Sequence, residues 1–107
     1  MKNLPIMSFA FFCSIFLVLA ANAQTAEETY TAKCVTCHGA SGTGDTRAGK
    51  ALKAPDFHDA EFIKASDADL VAAITNGKNK MPAFGTKLTE AQIQGLVKYI
   101  RGIQKPQ

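Results

Sequence analysis

Cys34-Val35-Thr36-Cys37-His38 places two thiols three residues apart, with an imidazole directly after the second. That spacing is the attachment signature of a c-type haem. On one helical turn both sulfurs can reach the two vinyl groups of a single porphyrin, and His38 then points at the iron from the same side. Rival uses of these residues fit less well. A redox dithiol needs a strand-rich βαβ scaffold, which the pattern of this chain lacks. A structural zinc site needs four N or S ligands, whereas residues 24–107 hold only Cys34, Cys37, His38 and His58. A disulfide across this spacing would close a ring too small to stabilise much.

The iron's other face decides what such a haem does. Lys80-Met81-Pro82 lies in a loop rather than on an apolar helical stripe, and proline stiffens the backbone just after the thioether. Met1 and Met7 fall in an N-terminal leader, so Met81 is the available thioether ligand. A core methionine is the plain alternative. His58, between Phe57 and Asp59, is the competing ligand, although a solvated or hydrogen-bonded histidine is the ordinary reading there. Methionine and histidine together characterise electron-transfer haems and raise the potential. Gly44 to Lys50 matches the front of a phosphate-binding loop, but Ala51 stands where Ser or Thr is needed and no strand precedes it. Its glycines are read instead as letting the backbone turn closely around a porphyrin edge. Lys78, Lys80 and Lys87 flank the methionine loop, either as solvated surface or as positive charge that steers an acidic partner.

Met1-Lys2-Asn3 followed by the apolar run Leu4 to Ala21 and the small-x-small site Ala21-Asn22-Ala23 reads as a cleaved signal peptide, residues 1–23. An uncleaved anchor is the rival reading. Cys13 leaves with the leader. Residues 24–107 then form one exported, periplasmic domain with no lasting membrane insertion. A domain of this size needs a staple or a cofactor, and a buried haem supplies one. The chain carries 12 basic and 9 acidic side chains, net +3. No polybasic run or aromatic-basic interleaving points to nucleic acid.

The elements that must hold these residues read as helices. Ala26 to Thr36 is the first, with Thr25 as N-cap and Tyr30 one turn before Cys34. Gly39 to Gly49 reads as loop. Ser66 opens a second helix with Leu70, Val71 and Ile74 on its apolar face, closed by Gly77. Thr89 opens the last, where Ile93, Leu96, Val97, Ile100 and Ile103 keep one stripe. No alternating strand pattern appears, so the fold class is all-α.

These features together resemble a class I monohaem cytochrome c of the small bacterial periplasmic type, over nearly all of residues 24–107. The resemblance implies the cytochrome c fold, a small helical domain wrapped around one covalent haem c. Cys34 and Cys37 would attach it, and His38 and Met81 would be its axial ligands. It implies that the first and last helices cross, with Tyr30, Leu96 and Tyr99 at the contact. Ala26 stands where the family usually has glycine at that crossing. Pro55-Asp56-Phe57 resembles the segment whose proline carbonyl accepts a hydrogen bond from the proximal histidine, which would let Pro55 orient His38. The implied function is a monomeric electron carrier, not an enzyme, that docks transiently with larger redox proteins. The alternatives are a haem enzyme or ligand-binding domain with a displaceable sixth ligand, and a dedicated haem subunit of a redox complex.

Overall fold

The computed structural model describes Lys2, Asn3, Pro5 and residues 24–106. The expected signal peptide and its cleavage site lie outside the described residues. The described chain is all-α, with six helices. The one strand-like pairing among the described residues joins Lys78 to Met81.

Helix starts follow local capping chemistry. Thr25 Oγ1 accepts from the Glu28 N–H at 3.1 Å, and the Glu28 carboxylate accepts from the Thr25 N–H at 3.1 Å. This capping box satisfies donors that the first turn leaves unpaired. It opens α1, Ala26–Lys33. The same reciprocal pair recurs at Ser66 and Asp69 before α5, Asp67–Asn76, and at Thr89 and Gln92 before α6, Glu90–Gln104. Gly77 closes α5 with a φ of 73°.

Three features depart from the sequence reading. The first helix does not run unbroken to Thr36. It breaks at Cys34 (φ −117°), and Val35–His38 forms a separate turn, α2. There the Cys37 N–H bonds the Cys34 carbonyl at 3.3 Å, an i−3 contact that tightens the chain as it enters the haem motif. Two short helices also appear in stretches that read as irregular, α3 at Arg47–Leu52 and α4 at Ala60–Lys64. Each is too short for apolar periodicity to reveal.

Helix α6 is the spine. It packs on α1 and on α5, while α2 packs on α3. Ile93, Leu96, Val97 and Ile100 are buried from α6, and Tyr30, Phe57, Ile74, Phe84 and Leu88 complete the core. At the α1–α6 crossing Tyr30 and Leu96 are each 1 % exposed, and the Tyr30 and Tyr99 rings lie 5.1 Å apart. The small residue expected on α1 is supplied from the opposite helix. A Cβ built on Gly95 would lie 3.8 Å from the Ala26 Cβ, so alanine on one side is accommodated by glycine on the other. Arg101 ties α6 to the α4–α5 junction. Its guanidinium donates to Asp67 (2.9 Å), to the Phe62 carbonyl (3.0 Å) and to the Ala65 carbonyl. The last two are terminal carbonyls that α4 itself leaves unpaired.

Candidate functional site

The haem motif occupies α2, a single turn whose carbonyls need partners from elsewhere. Thr46 Oγ1 donates to the Thr36 and Cys37 carbonyls at 2.7 and 3.1 Å and accepts from the Gly49 N–H at 2.8 Å. The Gly44 N–H donates to the His38 carbonyl at 2.8 Å. From the other side the buried Tyr30 hydroxyl donates to the Gly39 carbonyl at 2.7 Å. The turn bearing Cys34, Cys37 and His38 is therefore clamped between α1 and the glycine-rich segment. The glycines have specific tasks here. A Cβ on Gly44 would sit 2.5 Å from the Ala54 carbonyl oxygen, and one on Gly42 would sit 2.6 Å from the Phe57 ring.

Cys34 and Cys37 are free thiols of intermediate exposure. Burial pushes the Cys34 thiol up to about 11, with Lys33 opposing the rise and Cys37 adding to it. A redox-active dithiol needs a lowered pKa to supply thiolate, so this environment argues against that use.

The His38 ring stacks on Phe57, with centroids 4.5 Å apart and planes 28° from parallel. Burial lowers the His38 pKa, which favours the neutral imidazole that binds metals. The hydrogen bond expected from His38 to the Pro55 carbonyl is not formed, because Nδ1 is buried without a partner among the described residues. Pro55 instead backs the glycine loop, its oxygen 3.2 Å from a Cβ built on Gly44, while Phe57 takes the face of the imidazole.

Met81 is held by its backbone on both sides. Lys78 and Met81 exchange N–H···O bonds of 3.2 and 2.9 Å across a tight turn in which Asn79 has a φ of 54°. Beyond Pro82, the Phe84 and Gly85 N–H groups donate to the Ile74 and Thr75 carbonyls at 2.9 and 3.0 Å. The methionine loop thereby satisfies carbonyls that the end of α5 would leave unpaired. The partly buried Met81 side chain packs against the same core as Cys34 and Val35. A groove of about 1040 Å³ between α5 and α6, past Val71, Thr75, Ile93 and Val97, has none of the four haem-motif and methionine residues in its lining.

Lys78, Lys80 and Lys87 are exposed, and the Lys87 ammonium lies 5.7 Å from the Phe84 ring centroid, within cation–π range. His58 is engaged elsewhere. Its Nδ1 is 2.7 Å from Asp56 and its Nε2 is 3.1 Å from the Ile103 carbonyl, joining the 55–58 segment to the end of α6. The hydrogen bond to Asp56, then that to Ile103, raises the His58 pKa, and the bonds from His58 lower that of Asp56. The His58 contribution to stability is full below its ordinary value of about 6.5 and fades as pH rises through the raised folded value. That of Asp56 is lost as pH falls through its lowered folded value. Thermal melts of wild type and His58→Gln should therefore differ most near about pH 5.5 and converge toward about pH 8.5. A gap that widens with pH would contradict this linkage.

The residues present suit a covalently held haem. Two free thiols and an imidazole whose buried Nδ1 has no partner among the described residues share one clamped turn. A thioether is anchored in a separate loop against the same core. Sequence reasoning missed Thr46, Gly95, Arg101 and the stacking of Phe57 on His38. For Thr46 a signal existed, since Thr46 precedes Arg47-Ala48-Gly49 as an N-cap would, but the surrounding glycines read as loop.

The family described as cytochrome C oxidase, cbb3-type, subunit III matches residues 21–100. The chain is 33 % identical over 102 residues to a cytochrome c6 from Nostoc sp. (strain PCC 7120), covering 94 % of this chain and 89 % of that protein. It is 33 % identical over 86 residues to the cbb3-type cytochrome c oxidase subunit CcoP of Azospirillum brasilense, covering 78 % of this chain and 29 % of that one. Among solved structures, the KustC0563 c-type cytochrome superposes with a TM-score of 0.69 at 36 % identity, covering 77 % of this chain and all of that one.

Proposed function

The chain belongs to the cytochrome c family, and from that premise we propose that it is a periplasmic one-electron carrier whose haem c is bound through Cys34 and Cys37 and ligated by His38 and Met81. The protein is an electron carrier and not an enzyme. The haem iron supplies the one-electron couple between ferrous and ferric states. The chain's own residues do the rest. Cys34 and Cys37 hold the porphyrin covalently, His38 offers a neutral imidazole, and Met81 offers a thioether that favours a high potential.

The observation that carries this reading is the doubly anchored methionine loop, bonded to Lys78 on one side and to the end of α5 on the other. A ligand held that firmly by its backbone changes position little between oxidation states and is not readily displaced. Lys78 and Lys80, exposed on the same loop, would guide acidic redox partners into brief encounters. The leader read from residues 1–23 would deliver the chain to the periplasm. No described helix is long and apolar enough to cross a membrane.

Absorption spectra of the purified protein in both oxidation states test this reading. A ferric sulfur-to-iron charge-transfer band is expected, and the reduced protein should bind carbon monoxide slowly or not at all near neutral pH. Rapid and complete binding would favour an open or displaceable sixth position and sink the carrier reading.

A second reading is supported by the similarity to the CcoP subunit and by the description of the matching family. The same haem chemistry would then serve a fixed position in a redox complex. Co-purification of this chain with a larger redox protein under mild conditions would favour it, and a lone monomer would favour free diffusion.

A further inference from the structure

We propose that the chain forms a weak, reversible dimer through the groove between α5 and α6, in which α6 of a second copy lies antiparallel to its own about a two-fold axis at Gln94.

The groove, of about 1040 Å³, has none of Cys34, Cys37, His38, Met81, Lys78 or Lys80 in its lining. Its buried members, Leu88, Ile93 and Val97, are apolar. On the α5 side the exposed members are short: Ala68, then Ala72 and Asn76 at successive turns. No long side chain stands there to hold another helix away, and small residues at a contact allow helix axes to approach to about 8 Å.

The α6 side says what that helix is. Its exposed members are Glu90, Gln94 and Lys98, spaced by four on one stripe. The stripe reads negative, neutral, positive, so in the reverse direction it is its own complement. Laid antiparallel about Gln94, Glu90 of each copy meets Lys98 of the other. The two Gln94 amides meet at the axis, where each can donate and accept. A parallel arrangement would set like charges together. Neither Glu90 nor Lys98 has an ion-pair partner among the described residues, and Glu90 accepts from Gln94 of its own helix at 3.4 Å. The other charges of the lining, Asp67 and Arg101, already pair at 2.9 Å. Two acids balance two bases, so a strongly charged partner gains nothing here, whereas a copy of this chain gains two pairs. The face covers only about three turns of α6. An interface that short falls at or below roughly 1,200 Å², which makes the pairing weak.

Sedimentation of the holoprotein between about 1 μM and about 1 mM tests the pairing across the range of weak affinities. Wild type should pass from monomer to dimer, and added salt should move the midpoint to higher concentration. Lys98→Glu or Glu90→Lys turns both pairs into repulsions, so each should raise the dissociation constant about tenfold or more. The Glu90→Lys, Lys98→Glu double variant restores opposite charges and should recover the dimer. Ala72→Arg, at an exposed position, fills the space of the second helix and should abolish the dimer with the α6 charges untouched. All of these side chains are exposed, so the variants should keep the wild-type haem spectrum. A wild type that stays monomeric throughout would overturn the proposal, leaving the groove to a helix of another protein. A dimer indifferent to the single reversals, or a double variant that stays monomeric, would overturn it as well.

Discussion

Met81→Ala is expected to abolish the ferric sulfur-to-iron band, lower the reduction potential and open the reduced protein to carbon monoxide. The bonds that shape the loop all come from the backbone, between Lys78 and Met81 and from Phe84 and Gly85 to the end of α5. Truncating the side chain therefore removes the proposed ligand while those bonds remain. The potential should fall by on the order of a hundred millivolts, within the roughly 0.8 V range that axial ligands set. Loss of a partly buried thioether from the core should also cost stability, because Met81 packs against the buried cluster. An unchanged band would show that Met81 is not the ligand. His58 would then be the next candidate, but it would have to leave both Asp56 and the Ile103 carbonyl to reach the iron. Spectra of the single variant and of the His58→Gln, Met81→Ala double variant separate these outcomes.

Gly49→Ala should be the most damaging methyl addition in the clamp around the haem motif. An added Cβ would collide with the Cys37 carbonyl oxygen and lie 2.5 Å from the Gly44 carbonyl oxygen and 2.8 Å from Thr46 Oγ1. None of these can yield cheaply. The first belongs to the turn that carries the second haem cysteine, and the last is the hydroxyl that caps α3 and bonds α2. Overpacking of this kind costs about 3 kcal/mol at the upper end of its usual range. That is a large share of the roughly 5–15 kcal/mol that holds a small domain together. Gly95→Ala is the control, since its Cβ would meet only Ala26 at an ordinary 3.8 Å while helix propensity favours alanine. Urea unfolding should show a much lower midpoint for Gly49→Ala and a midpoint at or above wild type for Gly95→Ala. Equal midpoints would mean that the loop can retreat from Cys37.

The parts of the fold that were legible in the residues are those decided within a few positions. Thr25, Ser66 and Thr89 each open a helix where the residues place one, and each does so through a reciprocal pair with Glu28, Asp69 or Gln92 whose two halves lie in one helical turn. The stripe on α6 was legible because periodicity over fifteen residues leaves little ambiguity. What escaped were bonds between distant positions. Gln104 reaches the Phe57 carbonyl across 47 residues, and Arg101 reaches the Phe62 carbonyl across 39. No local pattern announces such partners. The short helices α3 and α4 escaped for a related reason, since six or five residues cannot show a face, and packing stabilises them more than propensity does.

By itself the sequence determined the kind of chemistry. Covalent attachment depends on two thiols and an imidazole within five consecutive residues, a distance that any helical turn supplies, so residue order alone is sufficient to specify it. It also pointed to Met81 as the proposed thioether ligand, as the one methionine outside the expected leader and the one followed by the stiff Pro82. Only the tertiary structure decided how these groups are held. The His38 ring lies against Phe57, 19 positions away in the chain, and Phe57 in turn packs near Ile103 at the end of α6, because what meets the imidazole depends on packing in three dimensions and not on residue order.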